Sequence, residues 1–262
     1  MTHDEPLVLA ETVGKVHRIV LNRGARRNLL TPEMMAALSA ALDAPEARVI
    51  VIAATGPAFC AGHDMKTMAA HQEDDDGGRA YFAALFDQCS QMMQKIAEAP
   101  QPVIAEVHAT AVAAGCQLVA ACDLAVAADS VKFGTTGVTF GLYCSTPAVP
   151  LTRTVAPKHA AEMLMTGDLI DAHKALDIGL VNRIVPAEAL TQETMALAEH
   201  IAAKSAAVLA IGKKVVREQA GLPLHEAYAR ASCAMVDNLL LEDGREGLAA
   251  FSHKRPAAWR DR

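Results

Sequence analysis

The sequence predicts an α/β protein with a helical C-terminal region. Up to about residue 140, short segments typical of strands alternate with helical patterns, and beyond Pro147 the pattern is almost entirely helical. The 262 residues are 52% hydrophobic but only 4% aromatic, so Ala, Val, Leu and Met must fill the core. No low-complexity linker is present, and we expect a core over 1–195 and a helical region over 196–262.

The N-terminal segments "LVLAE" and "KVHRIVLN" alternate apolar and polar residues, which predicts two strands. A helix should follow at "TPEMMAALSAALDA", with Thr31 as N-cap, Pro32 in the first helical position and Glu33 in the first turn. The apolar segment "RVIVIAAT", residues 48–55, predicts a buried strand that ends at a Gly-Pro turn.

The middle of the chain continues the strand and helix pattern. A loop at "AFCAGHDMKTM" and an exposed acidic stretch, "HQEDDDGG", precede a long helix from about Arg79 to Glu98, which Pro100 and Pro102 stop. The strand "PVIAEVHA" leads into "TAVAAGCQLVAACD", which should begin a helix, and "DLAVAA" and "VKFG" predict two more strands.

The remaining sequence predicts helices and one short strand, "LVNRIV". Asp171 is expected to cap a short helix that ends at Gly179. The long Ala- and Met-containing helices between Leu190 and Met235 are expected in the core or in contacts between subunits. The predicted helices cover approximately residues 147–153, 157–165, 171–177, 187–220, 224–240 and 243–252.

Charge and cysteine content exclude several classes of function. The net charge of −6 argues against nucleic-acid binding and against binding to anionic membranes. The six cysteines show neither a CxxC pair nor the spacing of zinc ligands, so we expect them reduced and buried, with no metal site. No apolar run reaches the ~18–20 residues of a membrane span. Because the start of the chain is also acidic, unlike a targeting peptide, we expect a soluble, cytoplasmic protein.

Two loops share a pattern that suggests a binding site for a carbonyl oxygen. "FCAGHD" (59–64) and "AAGCQL" (113–118) each follow a buried strand and carry small residues. Two such loops can direct backbone N–H groups at one oxygen, as in an oxyanion hole. The alternative is that Gly62 and Gly115 only turn the chain or permit tight packing.

Six motifs in a fixed order make the sequence resemble the crotonase (enoyl-CoA hydratase/isomerase) superfamily over nearly its whole length. They are "LNRGARRNLLTPEM", "FCAGHDMKTM", "AAGCQLVAACDLAVA", "FGTTGVTFGL", "DAHKALDIGLVNRIV" and "FSHKR". The resemblance implies a spiral of ββα turns with a C-terminal helical region, assembled as a homotrimer or homohexamer. It also implies an acyl-CoA substrate, no separate cofactor, and lyase or isomerase chemistry of fatty acid metabolism.

By this resemblance, the N–H groups of His63 and Ala114 stabilise a thioester enolate. Family hydratases use two glutamates to activate water, and the matching positions here are Gln117 and Gly137. Glutamine cannot accept a proton near neutral pH and glycine has no side chain, so we do not expect hydration by the family mechanism. Two alternatives remain open: a bicarbonate-like base bound near Gly137, and a non-catalytic acyl-CoA-binding or interaction protein.

The resemblance places further residues around the substrate. Cys144 lies at a helix start that should face the acyl group, either as a nucleophile or as an inert buried thiol. Asp64 should hold the first loop, and the His63 side chain is either titratable or a polar wall of the pocket. The expected substrate-binding residues, with cations for the CoA phosphates among them, are Arg27, Ala61, Asp64, Met65, Lys66, Gly115, Thr136, Cys144 and Lys254.

Overall fold

The computed structural model describes residues 5–262. The strands in this range are β1 (Val8–Val13), β2 (Val16–Leu21), β3 (Val49–Ala54), β4 (Val103–Val107), β5 (Ala111–Val112), β6 (Leu124–Ala128), β7 (Lys132–Gly134), β8 (Ile170–Asp171) and β9 (Arg183–Val185). The helices are α1 (Pro32–Ala41), α2 (Met65–His71), α3 (Arg79–Glu98), α4 (Ala114–Ala121), α5 (Ser145–Thr154), α6 (Pro157–Thr166), α7 (Ala172–Asp177), α8 (Leu190–Ala202), α9 (Ala206–Gln219), α10 (Leu224–Leu240) and α11 (Glu242–Ser252).

Two sheets organise the core. The larger has the order β1-β2-β3-β4-β6-β9, in which β1 and β2 are antiparallel and the other neighbours are parallel. The smaller has the order β5-β7-β8. Strands β3 and β4 are buried almost throughout, as expected for parallel strands covered on both faces. The predicted α/β class with a helical C-terminal region is confirmed.

Local signals in the sequence correctly placed several helix ends. The Thr31 hydroxyl accepts a hydrogen bond from the Met34 N–H (3.3 Å) and caps α1. The Asp171 carboxylate caps α7 by accepting from the Lys174 N–H (2.8 Å). Helix α3 has its predicted bounds, because the prolines that follow it cannot continue a helix.

The structure corrects four expectations. The helix expected over 187–220 is interrupted, because Ser205 caps the start of α9 through the Val208 N–H (3.2 Å). The loop that follows β3 contains α2, and the β5 and β8 strands were missed because each has two residues. Cys233 is exposed rather than buried, since it lies on α10, where only Ala234 is buried.

Helix α8 packs on β2, β3, β4 and β6, and the predicted domain boundary at 195/196 falls within it. Among residues 5–262, no single helix has the length and apolar composition needed to cross a membrane. The segments 187–202 and 206–219 pass that test only as a pair, and they are bent by 99° relative to each other.

Two groups of contacts lie at opposite ends of the parallel strands. Loops 55–64 and 108–113 leave the carboxyl ends of β3 and β4. Helix α9 and the C-terminal tail bind at the amino ends: Lys213 pairs with Asp123 just before β6 (2.6 Å), and Asp261 pairs with Arg48 just before β3 (2.8 Å). The two loops with small residues therefore lie at the opposite end of the parallel strands from α9 and the C-terminal tail.

Candidate functional site

The first loop, residues 59–64, is fixed by backbone hydrogen bonds on both sides. The Ala61 N–H donates to the Arg27 carbonyl (3.1 Å), and the Gly62 carbonyl accepts from the Leu30 N–H (2.9 Å). Cys60 forms a parallel bridge with Ala111, the first residue of β5. These bonds hold the loop between the 23–31 segment and the strand that leads into α4.

The second loop turns sharply at Ala113. This alanine has φ 51° and ψ −121°, a conformation that residues with a Cβ atom rarely adopt. Its N–H donates to the Gly134 carbonyl (2.9 Å), and its carbonyl accepts from the Gln117 N–H (3.0 Å). Because both peptide groups are held, the next residue, Ala114, begins α4 with a defined N–H direction.

The two loops touch each other. A Cβ atom at Gly62 would lie 3.0 Å from the Ala113 Cβ and 3.3 Å from the Ala114 nitrogen. A Cβ atom at Gly115 would lie 2.1 Å from the Cys60 carbonyl oxygen, a distance that no side chain tolerates. The packing interpretation of these glycines is therefore correct, and the same packing brings the predicted site residues of the two loops together.

Backbone donors remain free where the loops meet. Within residues 5–262, the N–H groups of His63 and Ala114 have no hydrogen-bond acceptor. The Ala114 N–H belongs to the first turn of α4, where the helix dipole favours negative charge. This arrangement can bind a carbonyl oxygen that gains negative charge.

The His63 side chain is held away from solvent. Its Nδ1 donates to the Leu30 carbonyl (3.0 Å), and its ring meets the Phe86 ring edge-on at 5.6 Å between centroids. Burial lowers the pKa of this imidazole, opposed by the bond to Leu30. The ring is thus favoured in its neutral form, with an unprotonated Nε2 that has no partner among the described residues. Sequence reasoning missed Leu30, which lies in the first of the six motifs but binds His63 through its backbone carbonyl, and Phe86, which lies outside all six.

Gln117 lies on α4, one turn after Ala114, and is only 3% exposed. Its Oε1 atom has no hydrogen-bond partner among residues 5–262. Buried amide groups are normally hydrogen-bonded, because burial removes them from water. An unpartnered amide oxygen one helical turn from the free Ala114 N–H is consistent with a site that a polar ligand completes.

Gly137 lies in a 3₁₀ turn, Thr136–Phe140, that leaves no space for a side chain. A Cβ atom there would lie 2.3 Å from the Leu142 carbonyl oxygen and 2.8 Å from the Cys144 Sγ. The Gly137 N–H instead donates to that sulfur (3.3 Å). Burial raises the pKa of the Cys144 thiol, against this hydrogen bond, which favours the inert thiol over a nucleophile.

Asp64 has the expected loop-holding contacts. Its carboxylate accepts from the N–H groups of Lys66 (3.0 Å) and Thr67 (3.3 Å), capping α2, and pairs with Arg26 (3.0 Å). Met65 is the exposed first residue of α2. Thr136 is half-buried and directly precedes Gly137 in the 3₁₀ turn.

The predicted CoA-binding cations are distributed over different parts of the chain. Arg27 and Lys66 are exposed and flank the first loop, since the Arg27 carbonyl binds Ala61 and the Lys66 N–H binds Asp64. Lys254 is exposed just after α11, whose neighbours are α9 and α10. Among the described residues, the Lys254 side chain forms no hydrogen bond or ion pair with the two loops.

A sequence model of the family described as enoyl-CoA hydratase/isomerase matches residues 11–262. The chain belongs to this family. One similar member is enoyl-CoA hydratase domain-containing protein 3, mitochondrial, of Mus musculus, which is 46% identical over 248 residues, covering 93% of this chain and 81% of that protein.

Solved structures of family members confirm the fold. The structure of an enoyl-CoA hydratase from Mycobacterium smegmatis has a TM-score of 0.92 and 43% identity, covering 97% of this chain and 99% of that chain. The structure of human enoyl coenzyme A hydratase domain-containing protein 3 has a TM-score of 0.90 and 44% identity, covering 97% and 100%. The resemblance inferred from the six motifs is therefore confirmed.

The expectation of a cytoplasmic location is contradicted. The relatives from mouse, rat and human are all named as mitochondrial proteins. Net charge and the lack of a long apolar run describe the solubility of a chain, and these properties do not distinguish two aqueous compartments.

Proposed function

We propose that this protein binds acyl-CoA thioesters and stabilises negative charge on the thioester oxygen through the N–H groups of His63 and Ala114. The observation that carries the proposal is that these two N–H groups, on loops in direct contact, have no acceptor among residues 5–262. Membership of the enoyl-CoA hydratase/isomerase family supports a CoA thioester as the ligand.

The chemistry follows from polarising the thioester carbonyl. Hydrogen bonds to its oxygen make the α-proton more acidic and the β-carbon more electrophilic. One such donor typically contributes about 10²–10³ in rate when charge develops on the oxygen. The dipole of α4 adds to this stabilisation at Ala114.

Proton transfer is the step that this site lacks. Gln117 offers an amide where a carboxylate is needed, and the Leu142 carbonyl fills the space in which a side chain at position 137 would start. General acid–base groups typically contribute about 10²–10⁴ each in rate. We therefore propose slow or absent hydration of enoyl-CoA, and a binding protein without turnover as the second candidate function.

A borrowed bicarbonate base at Gly137 has little support in this geometry. The Leu142 carbonyl oxygen, which is partially negative, borders Gly137 on the side where a side chain would project. Added bicarbonate should leave the rate of α-proton exchange unchanged. A rate that rises with bicarbonate concentration would restore this alternative.

The assignment of Arg27, Lys66 and Lys254 to the CoA phosphates is part of the proposal. Arg27 and Lys66 lie beside the first loop, whereas Lys254 belongs to the helices that attach at the other edge of the sheet. Lys254 would then act on a neighbouring subunit. Arg27→Glu and Lys254→Glu should each weaken CoA binding and make its salt dependence steeper, as calorimetry at two salt concentrations can test.

Assembly into a homotrimer or homohexamer is also proposed. Helices α10 and α11 expose large apolar side chains that a soluble monomer would normally bury, among them Leu224 (75% exposed), Tyr228 (69%) and Phe251 (85%). Light scattering should give a mass of three or six chains. A monomer would contradict the proposal and leave Lys254 without a neighbouring site.

Binding of a matched pair of ligands tests the carbonyl site directly. Butyryl-CoA has the thioester oxygen, and S-butyl-CoA, a thioether with the same carbon skeleton, does not. Two net hydrogen bonds should make butyryl-CoA bind about 10–100-fold more tightly. Equal affinities would contradict the carbonyl site, and binding of neither would contradict acyl-CoA recognition altogether.

Turnover distinguishes the two candidate functions. α-Proton exchange of butyryl-CoA in deuterated water, followed by NMR, would establish enolate chemistry. Tight binding without exchange would support the binding protein. Efficient hydration of crotonyl-CoA would contradict the interpretation of positions 117 and 137.

A further inference from the structure

The segment 23–31 is joined to the first loop at the carboxyl end of β3. Gly24 and Gly56 touch so closely that a Cβ atom at Gly24 would lie 2.7 Å from the Gly56 Cα. Further along the segment, the Leu30 N–H donates to the Gly62 carbonyl (2.9 Å). The first loop therefore takes part of its conformation from a segment that is separated from it in sequence by α1 and β3.

The hydrogen bond from Leu30 fixes the direction of the His63 N–H. The Gly62 carbonyl and the His63 N–H belong to one peptide group, which is planar and trans, so the two bonds point in opposite directions. Because the Leu30 N–H holds that carbonyl, the His63 N–H must point away from the segment 23–31.

The two free donors differ in what orients them. At Ala114, the carbonyl of the same peptide group belongs to Ala113 and accepts from the Gln117 N–H within α4 (3.0 Å). That orientation is local, because a helix supplies the bond between residues four apart. At His63 the orienting N–H comes from Leu30, which lies outside the loop, so the direction of this donor depends on what holds Leu30.

Asn28 anchors the segment two residues before Leu30. It is 0% exposed and has φ 51°, and its side chain uses both N–H donors and its oxygen. The Oδ1 atom accepts from the Arg23 N–H (2.9 Å), which closes the segment on itself. The Nδ2 atom donates to the carbonyls of Thr55 (2.8 Å) and Ala58 (2.9 Å), directly before the first loop. One amide group therefore fastens the segment to the turn from which the first loop begins.

We propose that Asn28 is a positioning residue for the carbonyl site: it holds Leu30, and Leu30 in turn directs the His63 N–H at the thioester oxygen. This inference rests on the proposed function, in which the His63 N–H is one of two donors to that oxygen. Without the Asn28 amide, the segment loses its attachment to the turn after β3, and the peptide group of His63 can rotate. A hydrogen bond weakens steeply as its angle bends, so such a rotation lowers the stabilisation of the oxygen.

The matched ligands butyryl-CoA and S-butyl-CoA separate positioning from folding. They share every CoA contact, so the ratio of their affinities, measured by calorimetry, reports the hydrogen bonds to the thioester oxygen. In Asn28→Gly, where glycine adopts φ 51° without strain, this ratio should fall about 3–10-fold, as for the loss of one net hydrogen bond. Difference infrared spectroscopy should show the carbonyl stretch of bound butyryl-CoA at a lower frequency in the wild type than in this variant.

Gln101→Ala is the matched control. Gln101 is also buried and donates to the Ala44 carbonyl (2.9 Å), but it lies just before β4, at the end of the strands away from the two loops. This variant should lose stability while the affinity ratio and the carbonyl stretch stay unchanged.

An unchanged ratio in folded Asn28→Gly would overturn the inference, and so would an equal fall of the ratio in Gln101→Ala. If Asn28→Gly does not fold, Asn28→Ser is measured instead, since its hydroxyl can donate to only one of the two carbonyls. An unchanged ratio there would also overturn the inference. Equal binding of the two ligands by the wild type would contradict the proposed function itself, whereas a wild-type preference that survives in the Asn28 variant contradicts this inference alone.

Discussion

Gln117 and Gly137, which the resemblance matches to the two glutamate positions of family hydratases, differ in their surroundings. At position 117 the side chain is buried, and its oxygen has no hydrogen-bond partner in the described part of the chain. At position 137 the Leu142 carbonyl and the Cys144 sulfur occupy the space where a side chain would begin. Position 117 thus holds a buried neutral amide, and position 137 has no space for a side chain.

This difference indicates at which of the two positions a substitution can introduce a carboxylate. A carboxylate at 117 would replace an amide of nearly equal volume, whereas a carboxylate at 137 would require movement of a backbone segment. The packing therefore requires glycine at 137, whereas position 117 can hold either an amide or a carboxylate.

The largest expected effect is on stability at position 137. Gly137→Ala should lower the free energy of unfolding by about 3 kcal/mol, because its methyl group collides with backbone that cannot rotate away. Denaturant titration measures this loss. Gly212→Ala is the control, since a Cβ atom in that helix meets nothing within 4 Å and should not destabilise. If the two variants are equally stable, position 137 does have space for a side chain and does not differ from position 117 in this respect.

A carboxylate at position 117 should change the reaction rate rather than the stability of the fold. Gln117→Glu should raise the rate of α-proton exchange of butyryl-CoA by about 10² or more, because a carboxylate accepts a proton and an amide does not. NMR in deuterated water measures the rate, and Gln117→Met should give no increase. No gain in the glutamate variant would mean that position 117 does not approach the α-carbon.

The pH dependence of stability tests the environment of the first loop. Burial lowers the pKa of His63, so the unfolded chain takes up a proton at a higher pH than the folded protein does. The stability tied to His63 is present above pH ~6.5 and declines as pH falls below it. The unfolding free energy of the wild type should therefore fall more steeply than that of His63→Gln between pH 7.5 and pH 5. Parallel curves would show that His63 is not buried as described.

The smallest expected effect is at Ala113, where backbone conformation is the constraint and space is not. Ala113→Gly should raise the free energy of unfolding by about 1 kcal/mol, because glycine adopts φ 51° without strain. Ala210→Gly, within α9, should instead lower it by about 1 kcal/mol. Thermal unfolding can resolve the opposite signs, and a loss of stability at both positions would contradict the strain at Ala113.

Much of the fold was predictable from local signals. Thr31 and Asp171 cap helices through their own side chains, and prolines fix the end of α3, so these features depend on residues close in sequence. The break at Ser205 carried a capping signal too, but the surrounding apolar periodicity concealed it. The exposure of Cys233 could not be predicted, because it depends on whether another element covers α10.

The candidate site was likewise predictable only in part. The motifs identified His63, Ala114 and Gln117, because small residues and an amide in fixed order are visible in the sequence. The positive φ of Ala113 had no signal, since alanine does not mark such a turn as glycine would. The contact of Gly62 with Ala113 joins residues about 50 positions apart, and only the packing of the two loops establishes it.

The sequence by itself determined the family, most of the strands and helices, and the absence of glutamate from positions 117 and 137. The tertiary structure decided that position 137 has no room for a side chain. It also decided that, within residues 5–262, the amide oxygen at 117 lacks a partner and two backbone donors remain free where the loops meet. The physical reason is that motifs record residue types along the chain, whereas free space and unpaired hydrogen-bonding groups result from segments that meet only after folding.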